Sequence, residues 1–497
     1  MNPHIATIIY VVGIAGLFYL DRDVVSRVSK GLWVPVLWLL IVGSRPVTVW
    51  FQSGPTVSQE QSYLDGSPID ATVFGILVLA GIVVLIMRSR KVNAYLFANW
   101  PILLFFAFCA LSIAWSDYSF IAFKRWIKAI GDLIMVMIVL TDPDPPAATK
   151  RFFSRAAFLL LPLSVLFIKY YPSIGRSYDR WSGQPMYCGV TTFKNTLGMT
   201  CLVCGLGSLW SLMGVYRDKK MRYRVRHMIA HGAIILMAIW LIHTADSMTS
   251  LACFLMAGTL IVFTWQSRHA TRVKVAHCLV GGAIFLSLCA LFIGPSALLP
   301  SLGRNSTLTG RIDIWKAVLS IHTNPLFGTG FESFWIGSRL EQVWNLTAKG
   351  IQEAHNGYLE VYLNLGFAGL ALLAGVIISG YRNTLAVFQR DPYAGRIRLA
   401  FFTAGLIYSL TEAGFRMMSV IWIGFLLAVV HVPKEPQPEP EKQFAKSFNK
   451  WGVESSIGTE AVVTMGSSLA ESEASKGIDS FELNLWLQSI RTRTRER

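Results

Sequence analysis

Charge is scarce in this chain of 497 residues: Asp, Glu, Lys and Arg together supply 15%, against 53% hydrophobic residues and a mean hydropathy of +0.48. A single soluble domain cannot cover itself with so little polar surface, which excludes that class. Acid is scarcer than base, 29 residues against 45, giving a formal charge of +16. No soluble stretch is long enough to present a basic face, so no nucleic-acid partner is expected. The seven cysteines have neither disulfide nor zinc spacing; Cys201 and Cys204 form a CxxC inside an apolar helix and read as packing residues. The segment at 5–20 has no Lys or Arg before it and no small-residue cleavage site after it, so it reads as a retained span and not a removed signal.

What the chain has in excess is long apolar runs, each sufficient to cross roughly 30 Å of hydrocarbon. The expected fold is all-α: a polytopic integral membrane helical bundle of about 12–13 transmembrane helices with a long periplasmic loop. Spans are expected near 4–20, 32–50, 71–88, 96–115, 121–140, 152–171, 189–214, 228–244, 248–265, 275–296, 357–380, 399–412 and 416–431. These divide into N-terminal helices (1–115), central helices (116–296), a periplasmic catalytic loop (297–356), C-terminal helices (357–432) and a disordered cytoplasmic tail (433–497) rich in Pro, Ser, Glu and Lys. Basic loops at 88–91, 216–227 and 267–274, with Arg382, Arg390, Arg396 and Arg398, fall on one side, which the positive-inside rule makes cytoplasmic. The loop at 297–356 then lies outside.

A second basic set falls on that outer side. It comprises Lys124, Arg125, Lys128, Lys169, Arg176, Arg180, Lys194, Arg304, Arg311 and Lys316. Taken singly, such side chains snorkel to the interface. Taken together they ask for an anion at the outer surface, and a lipid-linked phosphate or pyrophosphate fits, because guanidinium forks match phosphate oxygens. Within the outer loop, "STLTGRIDIWKAVLSIH" reads as a helix with Thr309 as N-cap, Ile312, Trp315 and Leu319 on its apolar face, and Arg311 in its first turn, where an anion is favoured or the guanidinium is simply solvated. "NPLFGTGF" reads as a tight loop packed over the site. His355, Leu359 and Tyr362 are spaced to share one helical face, and an imidazole of ordinary pKa suits proton transfer near neutrality, although a lone histidine there also serves as a cap or packing residue. Asp132, the one obvious acid well inside a span, has Lys128 a turn away.

"TGR.D.W", "NPLFGTGF" and "AHNGYLE...NLGFAGL", in that order, resemble the signature of the O-antigen ligase superfamily of bacterial polysaccharide ligases and polymerases. "GVTTFKNTLGM" and "ADSMTSL" resemble its exopolysaccharide polymerase branch. The resemblance implies a periplasmic-face glycosyltransferase of the bacterial inner membrane. Such enzymes take a glycan from undecaprenyl pyrophosphate and move it to an acceptor glycan or lipid, with no cofactor and no required metal, alongside other polysaccharide assembly proteins. It implies Arg311 and His355 as catalytic residues, with Arg176, Arg180 and Lys194 on the pyrophosphate; beside them Asn195, Arg304, Glu353 and Asn356 are expected as contacts to pyrophosphate or glycan. Ser247 and Thr249 serve as polar lining or as interhelical hydrogen bonds. A ligase to the lipid A core is the alternative within the class, and a transporter or flippase for the same lipid-linked glycans is the alternative outside it.

Overall fold

A computed structural model describes residues 2–23, 27–51, 67–178, 183–219, 223–267, 271–297 and 307–433, with side chains omitted at 290–297 and 307–310. Its long helices are α1 (Pro3–Leu20), α2 (Trp33–Val42), α3 (Pro68–Ile86), α4 (Ser89–Ala98), α5 (Trp100–Leu111), α6 (Ser119–Leu140), α7 (Pro145–Tyr170), α8 (Lys194–Arg217), α9 (Arg224–Thr244), α10 (Met248–Gln266), α11 (Arg272–Ala297), α12 (Thr307–Ser320), α13 (Ser338–Leu346), α14 (Gly357–Arg390), α15 (Pro392–Thr411) and α16 (Val420–Val429). One two-stranded antiparallel ribbon, β1 (Arg176–Tyr178) and β2 (Pro185–Tyr187), is the strand structure among the described residues. Eight helices there are long and apolar enough to cross a membrane, or nine if the pair α4 and α5, bent by 84°, forms one span. The protein is therefore a polytopic helical membrane protein.

The remaining expected spans are also helical but fall short of that standard. α2 and α16 have ten residues each, about 15 Å at 1.5 Å per residue, and are half the length that a hydrocarbon core requires. α6 carries Lys124, Arg125, Lys128 and Asp132, and α15 carries Arg396 and Arg398. α7 and α8 are mostly buried at the centre of the bundle, whereas α1, α3 and α11 expose most of their surface, as lipid-facing helices do.

α14 is one apolar run in sequence but not one helix in space. At Gly366 the backbone turns to φ 64, ψ −163, and an added Cβ there would meet the Leu326 carbonyl group at 2.3 Å. Only glycine adopts that conformation in that space. The backbone groups freed by the break are taken up by the "NPLFGTGF" loop: Thr329 and Gly330 donate to the carbonyls of Leu363 and Asn364 (3.1 and 2.9 Å), while Phe367 and Ala368 donate to Pro325 and Leu326 (2.9 and 3.0 Å). Gly328 and Gly330, at φ 68 and 94, supply the turns. The loop expected to pack over the site is thus a plug in a helix break.

The segment between α11 and α14 also has a core of its own. α12 buries Ile314, Val318 and Ile321 against Phe334, Trp335, Leu340, Val343 and Leu363. This corrects the expected face of Ile312, Trp315 and Leu319, since Leu319 is exposed. The helix packs on its own loop, which sets its buried stripe.

Candidate functional site

Two backbone atoms of Ala354 fix the most telling stretch. Its N–H donates to Glu360 Oε1 (2.5 Å) and its carbonyl accepts from Trp315 Nε1 (2.8 Å), while Glu360 Oε2 accepts from Trp335 Nε1 (2.8 Å). Glu353 and His355 are thereby held on either side of a pinned residue. Asn356 caps α14, accepting from the N–H groups of Tyr358 and Leu359 at 3.0 Å each, and donates to the Leu410 carbonyl (3.2 Å), tying the stretch to the end of α15. His355 precedes the helix with φ 50, so it does not share a helical face with Leu359 and Tyr362 as the spacing suggests. Asp246 and Glu332, which pair with cations in the same region, also have φ 51. Positive φ is uncommon outside glycine, and such conformations gather at functional sites.

Glu412 is the hub. Its Oε1 accepts from Arg311 Nη2 (2.6 Å) and Asn195 Nδ2 (3.2 Å), and its Oε2 lies 3.0 Å from His355 Nδ1. His355 Nδ1 is also 3.0 Å from Glu353 Oε1. Arg416 continues the chain of charges, with Nη1 3.6 Å from Glu353 Oε2 and Nε 3.2 Å from Glu332 Oε2. The start of α8, the start of α12, the turn before α14 and the turn after α15 meet here. Burial disfavours a charged imidazole, but hydrogen bonds and attraction from Glu353 and Glu412 outweigh it and raise the His355 pKa to about 10. Burial likewise opposes ionisation of Glu353, yet His355, Arg416 and Arg311 hold its carboxyl below the ordinary range. At neutral pH the pair is therefore imidazolium beside carboxylate.

Glu353, His355 and Glu412 bring three ligand-type atoms within 4.8 Å of one another, the arrangement of a candidate metal site. The surroundings fit a proton better than a divalent cation. Guanidinium groups already sit against both carboxylates, and the His355 nitrogen that faces them is engaged by both.

The expected site residues divide accordingly. Arg311, Asn195, Glu353 and His355 come together with Glu412, and Asn356 supports them from the cap. Lys194 is near, its Nζ 3.9 Å from Asp246 Oδ2. Arg176 spends its guanidinium on the Ile168 carbonyl (Nε 3.0 Å, Nη2 2.9 Å) and over the Tyr187 ring, with no contact to the Glu412 group among the described residues. Arg180 and Arg304 lie outside the described residues. Thr249 bonds Thr411 across helices (3.0 Å), and Ser247 bonds Ser250 (2.8 Å). Glu412 and Arg416 were not anticipated from sequence. The one signal was an acid and an arginine in "LTEAGFR", between two apolar segments.

The outer cations are less needy than their positions suggest. Lys124 lies over the Phe120 ring, Lys128 over Phe74 and Lys169 over Trp240, and Arg125 donates to the Glu332 carbonyl. Asp132 accepts from Trp38 Nε1 (2.8 Å) and the Met418 N–H (2.9 Å), and not from Lys128. Internal partners thus absorb much of the cost that an outside anion was expected to repay.

A polytopic helical bundle with the Arg311–His355–Glu353–Glu412 cluster between helix ends defines a membrane protein with a buried acid–base site. Residues 199–374 match the model of the O-antigen ligase family, the family that the motifs resemble. It is also 25% identical over 325 residues, 62% of this chain and 71% of the other, to the exopolysaccharide production protein ExoQ of Rhizobium meliloti (strain 1021). Arg311 and His355 fall inside the matched stretch; Asn195 and Glu412 flank it. A role of the ligase or polymerase type in polysaccharide biosynthesis follows, and with it a glycosyl-transferring enzyme in a membrane.

Proposed function

We propose that the protein polymerises undecaprenyl-pyrophosphate-linked oligosaccharide at the periplasmic face of the inner membrane, in exopolysaccharide synthesis. The observation that supports this best is the convergence of Arg311, His355 and Asn195 on Glu412, at the bundle end opposite the basic loops. Arg311 and the His355 imidazolium offer positive charge where a pyrophosphate leaving group gains negative charge. The acceptor hydroxyl attacks the anomeric carbon, and the carbon–phosphate oxygen bond breaks with its electron pair going to the pyrophosphate. The hydroxyl proton passes to a carboxylate. Glu353 is the more accessible of the two carboxylates, its side chain 34% exposed against 7% for Glu412. His355, already protonated, orients and does not deprotonate. The pyrophosphate is a good leaving group, so positioning supplies much of the acceleration.

The break in α14 is a feature that transporters share. Here the freed backbone groups are taken up by residues 325–330, and the small cavity beside the break, lined by Asn364, Leu365, Phe331 and Trp422, is largely apolar, which favours transfer over transport. A strain lacking the protein should accumulate lipid-linked single repeats, and complementation with Arg311→Ala should leave them accumulated although the variant inserts normally. Accumulation of long lipid-linked chains would instead identify a ligase, and full polymer from the Arg311→Ala strain would refute the site.

A further inference from the structure

The opposite end of the bundle holds a cavity that the transfer reaction does not use. It has a volume of about 260 Å³, close to the smaller ligand sites of proteins, and lies among the C-terminal ends of α6, α14 and α16 and the N-terminal ends of α7 and α15. Along α15, Arg398 stands 14 residues before Glu412, about 21 Å at 1.5 Å per residue, so the cavity is well separated from the Glu412 cluster. Its walls are largely apolar, with Leu140, Trp210, Val387 and Leu427 among them, and two guanidinium groups interrupt them: Arg390 at the rim and Arg398 inside.

Arg398 is only 4% exposed. Among the described residues it donates through Nη1 alone, to the Val430 carbonyl at 2.8 Å and weakly to Ala428 at 3.5 Å, and it forms no ion pair. Arg390 is likewise bound to carbonyls, those of Ala386 and Val432 (3.3 and 3.1 Å). The one acid on the cavity wall, Asp391, caps α15 through Oδ1, accepting from Tyr393 and Ala394 (2.9 and 3.1 Å), and among the described residues makes no ion pair with either guanidinium. A buried guanidinium without a carboxylate partner is strongly disfavoured unless an anion joins it. Arg396, on the same helix, shows the usual remedy: it lies over the Trp265 ring and donates to two carbonyls. Arg398 has no such ring.

We propose that this cavity binds an anionic phospholipid of the leaflet on the side of the basic loops. The phosphodiester lies between Arg398 and Arg390, and the first part of an acyl chain lies along the apolar walls. A free phosphate would satisfy the guanidinium groups but leave the apolar surface wet, which is why the lipid is assigned.

Detergent-solubilised full-length protein, titrated with dioleoyl phosphatidylglycerol, dioleoyl phosphatidylcholine or inorganic phosphate and followed by native mass spectrometry and thermal unfolding, tests this. Phosphatidylglycerol should be retained at about one per chain and should raise Tm, while phosphatidylcholine does neither. Because Arg398 is buried and its loss risks misfolding, the variants are Arg390→Gln and Ala394→Leu. The first removes rim charge and the second fills the cavity with both guanidinium groups intact. Each should weaken phosphatidylglycerol retention by roughly tenfold, the loss of one charge-assisted contact or of the chain's room. Equal retention of the two lipids, or wild-type retention in both variants, overturns the proposal. Displacement of the lipid by millimolar inorganic phosphate overturns the lipid assignment in favour of a free-anion site.

Discussion

At the scale of single residues, Glu412 does what neither Arg311 nor His355 does alone, because its two oxygens bind both. Replacing it by Gln removes one charge from a nearly buried cluster in which charge-assisted hydrogen bonds contribute about 1.5–3 kcal/mol each. Glu412→Gln should lower turnover by roughly 10²-fold or more, through misplacement of both partners. It should also change the pH profile in a defined direction. His355 has its pKa raised, so the stability and the positive charge it brings are fully present below its ordinary value and are lost as pH rises through about 10. Glu353 has its pKa lowered, so its contribution holds above the ordinary carboxyl value and is lost only as pH falls through the lowered one. The wild-type rate should therefore stay flat across neutrality with an alkaline limb near 10, and Glu412→Gln should move that limb toward lower pH. A limb near 6.5 in the wild type would show that neutral His355 is the working form.

Arg311 and His355 were legible in sequence because short polar motifs mark them between long apolar runs. Glu412 was not. It lies 101 residues from Arg311 and 57 from His355, and it joins them only after α14 and α15 have run down and back through the bundle. The charge on His355 was hidden for the same reason, since one of the two carboxylates that raise its pKa comes from that remote turn.

At the scale of elements, the joint between α14 and residues 324–331 positions the site. After Asn364 the run "LGFAGLALLAG" is apolar and reads as unbroken helix; only the distant loop that replaces its missing hydrogen bonds makes the break visible. The pairing turns the first residues of α14 into a short separate helix whose Glu360 pins Ala354, and so Glu353 and His355. Gly366→Ala forces a side chain into the Leu326 backbone and into an essentially glycine-only conformation that costs on the order of 1–3 kcal/mol even without the clash. Thermal unfolding in detergent should show a Tm several degrees below wild type, with activity lost by more than the unfolded fraction explains. An unchanged Tm would mean that the loop does not depend on that break.

At the scale of the whole molecule, the helical membrane class was plain from composition, and the count of spans was not. Charge inside α6 and the brevity of α2 and α16 depend on tertiary partners such as Trp38 with Asp132, which no hydropathy window registers. The two ends of the bundle are chemically distinct, and their sidedness is testable in cells. A cysteine introduced at Lys349, exposed in the outer segment, should react with an impermeant maleimide in intact spheroplasts. A cysteine at Lys219, between α8 and α9, should react only after permeabilisation. The reverse pattern would place the Glu412 cluster in the cytosol and remove it from any exported glycan.

The most direct measurement is transfer by the purified protein, reconstituted in liposomes with an undecaprenyl-pyrophosphate-linked oligosaccharide and a chelator present. The expected result is elongation of the lipid-linked glycan with release of undecaprenyl pyrophosphate by the wild type, and loss of both by roughly 10²-fold or more in His355→Ala and Glu412→Gln variants that retain wild-type Tm. Elongation at the wild-type rate by both variants, or movement of the glycan between leaflets with no new bond formed, would contradict a transferase built around Glu412.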